Sequence, residues 1–183
     1  MSTLTRPLTY DDLATMPDDG KRYELIGGRL FELTSPLRVH VLLARRIFLL
    51  LYEFATSHGL GEVLSAPADV VLSPENVVQP DVLFITGDRF DIYNRAYIGG
   101  PPDLVVEILS PSTSGRDRTV KAELYARFGV REYWMVDPVR KSLSIQVLGT
   151  SGYETTPEEN GRVRSNVLPG LVVAVAALFA GIE

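Results

Sequence analysis

Residues 103–109, DLVVEIL, are too apolar to leave either side of the segment in water. A Val/Ile/Leu run of this length reads as a β-strand covered on both faces, with one layer of structure above the sheet and another below. The run also carries a carboxylate, Glu107, near its centre. Burying an unpaired carboxylate there costs several kcal/mol or keeps it protonated. Glu107 therefore has a partner, opens into a cleft at a strand end, or holds a metal ion.

The rest of the chain supplies the layers. LTYDDLATMPDDG reads as a short helix with Thr9 as N-cap, and RYELIGGRLFEL as two strands around a Gly27-Gly28 turn. SPLRVHVLLARRIFLLLYEFATSHG is the clearest helix. Its apolar positions, among them Val39, Leu43, Ile47, Leu51 and Phe54, recur at helical spacing, and Gly59 ends it. GEVLSAPADVVLS and NVVQPDVLFIT then read as strands joined by SPEN. After the 103–109 strand, SPSTSGRDRTVKAELYARFGV supplies capping residues, a helix and a stop at Gly129. REYWMVD and SLSIQVL are strands around the turn PVRK, and GYETT and GLVVAV are candidates for more. The order α-β-β-α-β-β-β-α-β-β predicts an α/β fold with one central mixed sheet flanked by helices. Nothing in 183 residues marks a second domain, so residues 1–183 are expected to form one.

Composition narrows the chemistry. The chain has no cysteine and only two histidines, His40 and His58. Thiolate zinc sites, disulfides and cysteine nucleophiles are excluded, and any metal would be held by oxygen, which points to magnesium, manganese or calcium. A net charge of −5 argues against a surface that attracts nucleic acid everywhere, but leaves room for a local basic groove. The N-terminus lacks the basic-then-apolar order of a signal peptide, and GLVVAVAALFAG is shorter than the roughly 20 residues needed to span a bilayer. The expectation is a cytoplasmic protein with no membrane association.

Two Pro-Asp dipeptides precede Glu107. Asp103 lies on the same strand, about 13 Å from Glu107 at the rise of an extended chain, too far for one ion to bridge. Asp103 is read as a strand-opening or turn residue. Asp81 lies on the preceding strand, and carboxylates from neighbouring strands, about 4.8 Å apart, can converge on one cation. Downstream, Asp117 and Lys121 share a helix face. Spacing alone favours an i,i+4 ion pair on a solvated face; the other reading has Lys121 reaching back over Glu107. Tyr125 and Trp134 read as core aromatics, Asp137 as a turn residue, and His40 as a packed or half-buried histidine.

QPDVLFI, GGPPDLVVEILSPST and DRTVKAELYARFGVREYWMVDP together resemble the Uma-type restriction endonuclease family of the PD-(D/E)XK nuclease superfamily. YELIGGRLFEL and VLPGL extend the likeness over most of the chain. The resemblance implies a restriction-endonuclease-like fold and metal-dependent cleavage of a DNA phosphodiester. By position, Asp81 and Glu107 would bind magnesium, with manganese as a substitute, and the Ile108 carbonyl is a further candidate ligand. The pattern expects a basic residue two after Glu107, where this chain has Leu109. Lys121 is the candidate for a lysine moved to the neighbouring helix, where it would assist the attacking water. Glu24, preferred over Glu32, is the candidate for an N-terminal acid; strand-edge solubility is the competing reading of both. Arg116, Arg118, Lys121, Arg127 and Arg131 are candidates for a phosphate-binding face, and cutting both strands implies a homodimer. The alternative is an inactive module of the same fold, with Glu107 neutralised by Lys121 and no metal. The glycine pairs at 27–28 and 99–100 form no nucleotide-binding fingerprint.

Overall fold

The computed structural model of the chain describes residues 6–110 and 114–182. Of the capping segment expected before the second long helix, residues 111–113 lie outside the described residues.

After α1 (Tyr10–Ala14), a hairpin of β1 (Arg22–Ile26) and β2 (Arg29–Leu33) is followed by α2 (Arg38–His58). Gly27 and Gly28 have φ of 58° and 70°, the left-handed pair that a two-residue hairpin turn requires. A Cβ on Gly28 would also overlap Pro7, so only glycine fits there. The helix α2 ends as its sequence predicts, at Gly59 with φ 63°. Its buried row is Leu43, Ile47, Leu51 and Ala55, spaced at four residues.

The strands β3 (Gly61–Ser65), β4 (Val70–Ser73), β5 (Asn76–Val78), β6 (Val82–Thr86) and β7 (Leu104–Ile108) follow. Next come α3 (Ser114–Arg116), a π-helical turn (Asp117–Lys121) and α4 (Ala122–Phe128), which run on from one another. The chain closes with β8 (Glu132–Asp137), β9 (Ser142–Gly149), β10 (Gly152–Thr155), β11 (Arg162–Arg164), β12 (Val172–Ala174) and α5 (Val175–Phe179). The central sheet has six strands in the order β10-β9-β8-β7-β6-β3. Only β7 and β8 are parallel, and the helical segment between them is the crossover that such a pair needs. The fold is therefore the expected α/β architecture: a central mixed sheet with helices on its faces.

The sequence-based expectation of a single sheet needs correction. The hairpin does not join the central sheet; β2-β1-β5-β4 form a separate four-stranded antiparallel sheet, and β11-β12 a two-stranded one. GEVLSAPADVVLS and NVVQPDVLFIT each supply one strand to the central sheet and one to the second sheet. The chain changes sheets at residues 66–69 and again at Gln79-Pro80-Asp81. A proline interrupts the ladder at both crossings.

Alternation along the central strands sorts side chains between two cores. Phe84, Leu104, Val106, Ile108, Trp134 and Val136 pack with α2, α5 and the C-terminal ribbon. Leu83, Ile85, Val105, Leu109, Tyr133 and Met135 pack with Leu124 and Tyr125 of α4 and with Ile26, Val70 and Val78 of the second sheet. Position 107 has the parity of 105 and 109. Glu107 thus faces the helical crossover and the second sheet.

Candidate active site

The site forms where these elements meet. Asp81 stands immediately before β6, and its N–H donates to Val106 O at 3.1 Å. Continuing the Val82–Val106 register by one residue sets Asp81 across from Glu107. The Asp81 Oδ2 accepts the Ile108 N–H at 2.7 Å and lies 3.1 Å from His40 Nε2, one turn into α2. Both carboxylates line a cleft of about 550 Å³, together with His40, Arg116, Asp117 and Lys121.

Lys121 is 2% exposed, not on a solvated face. Its Nζ donates to Glu107 Oε1 at 2.8 Å, lies 2.7 Å from Glu24 Oε1, and lies 3.9 Å from Asp117 Oδ1. Asp117 is buried as well. The solvated ion-pair reading of these two residues is overturned, because the crossover is pressed onto the sheet. The π-helical turn that holds both makes a local widening of the helix, and Tyr133 Oη–H donates to the Asp117 carbonyl at 3.1 Å. Leu109 is buried in the same apolar cluster as Leu124 and Tyr125, so the cation near Glu107 comes from the helix and not from the strand.

Glu24 is fully buried on β1, which excludes the strand-edge solubility reading. Its Oε1 also accepts the Gln79 N–H at 2.9 Å, and its Oε2 lies 3.8 Å from Arg116. Glu32, by contrast, is exposed and pairs with Lys21 at 2.8 Å, away from the cleft. Three buried polar atoms, Glu24 Oε2, Gln79 Oε1 and Arg116 Nε, have no hydrogen-bond partner among the described residues.

The sequence reads Tyr125 as a core aromatic. It is fully buried, and its hydroxyl donates to Glu107 Oε1 at 2.7 Å. The signal was available: Tyr125 follows Lys121 by one helical turn, on the same face. Trp134 is a core aromatic whose indole N–H donates to Glu132. Asp103 opens β7 as expected but is no ordinary turn residue. It is fully buried, accepting from Thr86 N at 2.9 Å, Arg89 at 2.8 Å and Arg131 at 3.2 Å. Asp137 caps the turn after β8 through Val139 and Arg140 and pairs with Arg118 at 2.6 Å.

The expected arginine face is not assembled. Arg118 and Arg131 are held by Asp137 and Asp103, and Arg127 lies over Phe128. Arg116 alone of the group joins Lys121 at the cleft, stacked 4.9 Å from the Phe31 ring.

The electrostatics are those of too much negative charge in a dry place. Burial pushes the Glu107 carboxyl above the usual carboxylate range against the pull of Lys121, and Asp117, Asp81 and Glu24 add to the rise. Burial would lower the Lys121 ammonium, but Glu107, Glu24 and Asp117 outweigh it and hold it above its ordinary value. Lys121 is therefore a fixed cation. Burial, with Glu107 and Glu24 beside it, also drives the Tyr125 hydroxyl well above its usual range.

The carboxylate oxygens at the cleft are donors of the kind a hard divalent ion would accept. Among the described residues there is no group of three or more His, Asp and Glu placed to cage a metal. Two carboxylates open to a cleft, all oxygen, match the way magnesium is commonly held, with water completing its shell. Asp81 and Glu107 would be its ligands. Among the described residues no helix is long and apolar enough to cross a membrane.

No curated protein matches the chain. A solved structure from Anabaena variabilis, described as a "putative nuclease belonging to DUF820", superposes with a TM-score of 0.79 at 18% identity. The match covers 94% of this chain and 98% of that one, which establishes a shared fold. The model of the Uma2 family, described as "Putative restriction endonuclease", matches residues 9–176. With nearly its whole length matched, the chain belongs to the Uma2 family.

Proposed function

We propose that the protein is a magnesium-dependent DNA endonuclease acting through Asp81, Glu107, Lys121 and Glu24, with manganese as an alternative ion. The observation that carries this reading is Asp81 and Glu107 set side by side across β6 and β7, with the Lys121 ammonium 2.8 Å from Glu107. When bound, the ion would supply Lewis-acid polarisation of the scissile phosphate. In the hydrolysis, a water oxygen bonds to phosphorus, one P–O ester bond breaks, and the leaving oxygen takes up a proton. Lys121 is charged and so orients the water or stabilises the phosphate instead of accepting a proton. Glu107 accepts a hydrogen bond from the ammonium and Glu24 stands 2.7 Å from it as a second anion, which holds the cation at the cleft. Glu24 fixes the lysine. Tyr125 holds Glu107 Oε1, which leaves Oε2 to face the ion.

The inactive-module reading is favoured by one observation, the buried Lys121–Glu107 pair itself. Against it, Glu24, Asp81 and Asp117 crowd around Glu107, and burial together with that crowding raises its carboxyl, a tension that a bound divalent cation would relieve.

Calorimetric titration of magnesium and manganese into the wild type and the Asp81→Ala, Glu107→Ala double variant tests this. Binding by the wild type that the double variant loses, together with metal-dependent nicking of plasmid DNA, is the expected result. No binding by the wild type, even with single-stranded or duplex DNA added, would overturn the nuclease reading and favour the inactive module.

A further inference from the structure

Two of the most exposed apolar side chains of the protein stand at the cleft that holds the carboxylates. Leu37, 64% exposed, is the residue from which α2 starts, and Val139, 82% exposed, lies in the turn between β8 and β9. Both line the cleft, alongside Pro36 and Pro138. Each is followed by an exposed arginine, Arg38 and Arg140. Arg38 has no ion pair among the described residues, and Arg140 only a long one of 3.9 Å to Asp137. Deeper in, Arg22 and Arg116 also line the cleft. The mouth is thus apolar and cationic, while the floor is acidic.

Resting on the nuclease reading above, we propose that the substrate is an unpaired DNA strand, either single-stranded or locally opened, whose bases pack on Leu37 and Val139 while its phosphates meet the flanking arginines. Depth carries the argument. Glu107 is 5% exposed and Lys121 2%, so a scissile phosphate must enter the cleft to reach them. A phosphate that enters takes its neighbouring nucleotides with it, and a base still stacked and paired in a duplex cannot follow. The cleft volume of about 550 Å³ lies within the range of small-ligand sites, which suits a nucleotide or two and not a double helix. Apolar walls suit an extruded base, because every base has an apolar face whatever its sequence. The four arginines supply the charge complement that the backbone requires. Recognition of this kind is tolerant of sequence.

The test is fluorescence anisotropy with one labelled oligonucleotide presented as a single strand, as a duplex with a central unpaired stretch, and as a full duplex. Binding is measured in calcium and cleavage in magnesium. The wild type is expected to prefer the single strand and the opened duplex over the full duplex by at least about tenfold. The Leu37→Ser, Val139→Ser double variant, altered only at exposed positions, is expected to lose that preference with duplex binding unchanged and thermal stability undiminished. Equal or tighter binding of the full duplex, or a double variant that retains the preference, would overturn the proposal. So would a double variant that changes only the mass in solution, which would mean that a second copy covers these residues. Failure of the nuclease reading shows separately, as absence of magnesium-dependent cleavage of all three forms whatever their order of binding.

Discussion

Lys121 is the residue on which the site's stability and chemistry meet. An ammonium buried between Glu24 and Glu107 is tolerable only because each charge is the other's solvent, and removing one partner strands the rest. Lys121→Met is accordingly expected to destabilise the fold by about 3–5 kcal/mol, the usual cost of breaking a buried pair. Adding Glu24→Gln to it should cost much less than the sum of the two single changes, because the stranded carboxylate is gone. Urea denaturation of the four proteins in this cycle measures the coupling. Additive losses would mean that the lysine is not paired in solution as it is here.

Among the elements, the strand pair β6–β7 is held at both ends by an aspartate. At one end Asp81 takes the Ile108 N–H. At the other, Asp103 takes the Thr86 N–H and hydroxyl and the Arg89 guanidinium. Burial pushes the Asp103 carboxyl up, but the Thr86 N–H and Arg89 outweigh it and hold it below its ordinary 3.8. The unfolded chain then binds more protons than the native one through this interval, so the contribution of Asp103 is fully present above about pH 4 and is lost as pH falls through its lowered value. Asp103→Asn is expected to lower stability at neutral pH and to flatten the acid limb of the curve. The gap between wild type and variant should narrow as pH falls below about 4 in equilibrium denaturation. A constant gap would assign the loss to packing alone. The helical crossover shows the same economy of local geometry, since its π-helical turn carries both Asp117 and Lys121 inward.

For the molecule as a whole, the C-terminal ribbon and α5 are tied to the sheet through one buried carboxylate remote from the cleft. Glu132, fully buried at the start of β8, accepts from the Trp134 indole, Ser165 Oγ at 2.7 Å and the N–H groups of Asn166 and Val167 at 2.7 and 3.0 Å. Arg46 of α2 secures the other end, donating to the carbonyls of Leu178 at 2.6 Å and Ala180 at 2.9 Å. Hydrogen bonds to a charged acceptor are worth about 1.5–3 kcal/mol each, so Glu132→Gln should cost roughly 3 kcal/mol or more. Hydrogen exchange should then quicken after residue 164 before it quickens in β6 and β7. Uniform exchange over the chain would show that the ribbon and the sheet open together.

Much of this was legible in the sequence. The doubly covered strand at 103–109, the long helix with its four-residue apolar row and Gly59 stop, and the Gly27-Gly28 hairpin all follow from local rules of burial, period and backbone conformation. Spacing and resemblance nominate Asp81, Glu107, Lys121 and Glu24, and the fold brings the first three to one cleft, with Glu24 2.7 Å from Lys121. Other features were out of reach of the sequence. That the strands at 61–73 and 76–86 each divide between two sheets depends on which ladder completes the hydrogen bonds on either side of a proline, a non-local choice. That the Asp117–Lys121 face is buried, that Tyr125 holds Glu107, and that Asp103 and Glu132 collect donors from distant segments depend on packing between elements far apart in the chain. Periodicity tells a residue which way it faces along its own element. Only the assembled layers decide whether that direction meets water, a core, or another charge.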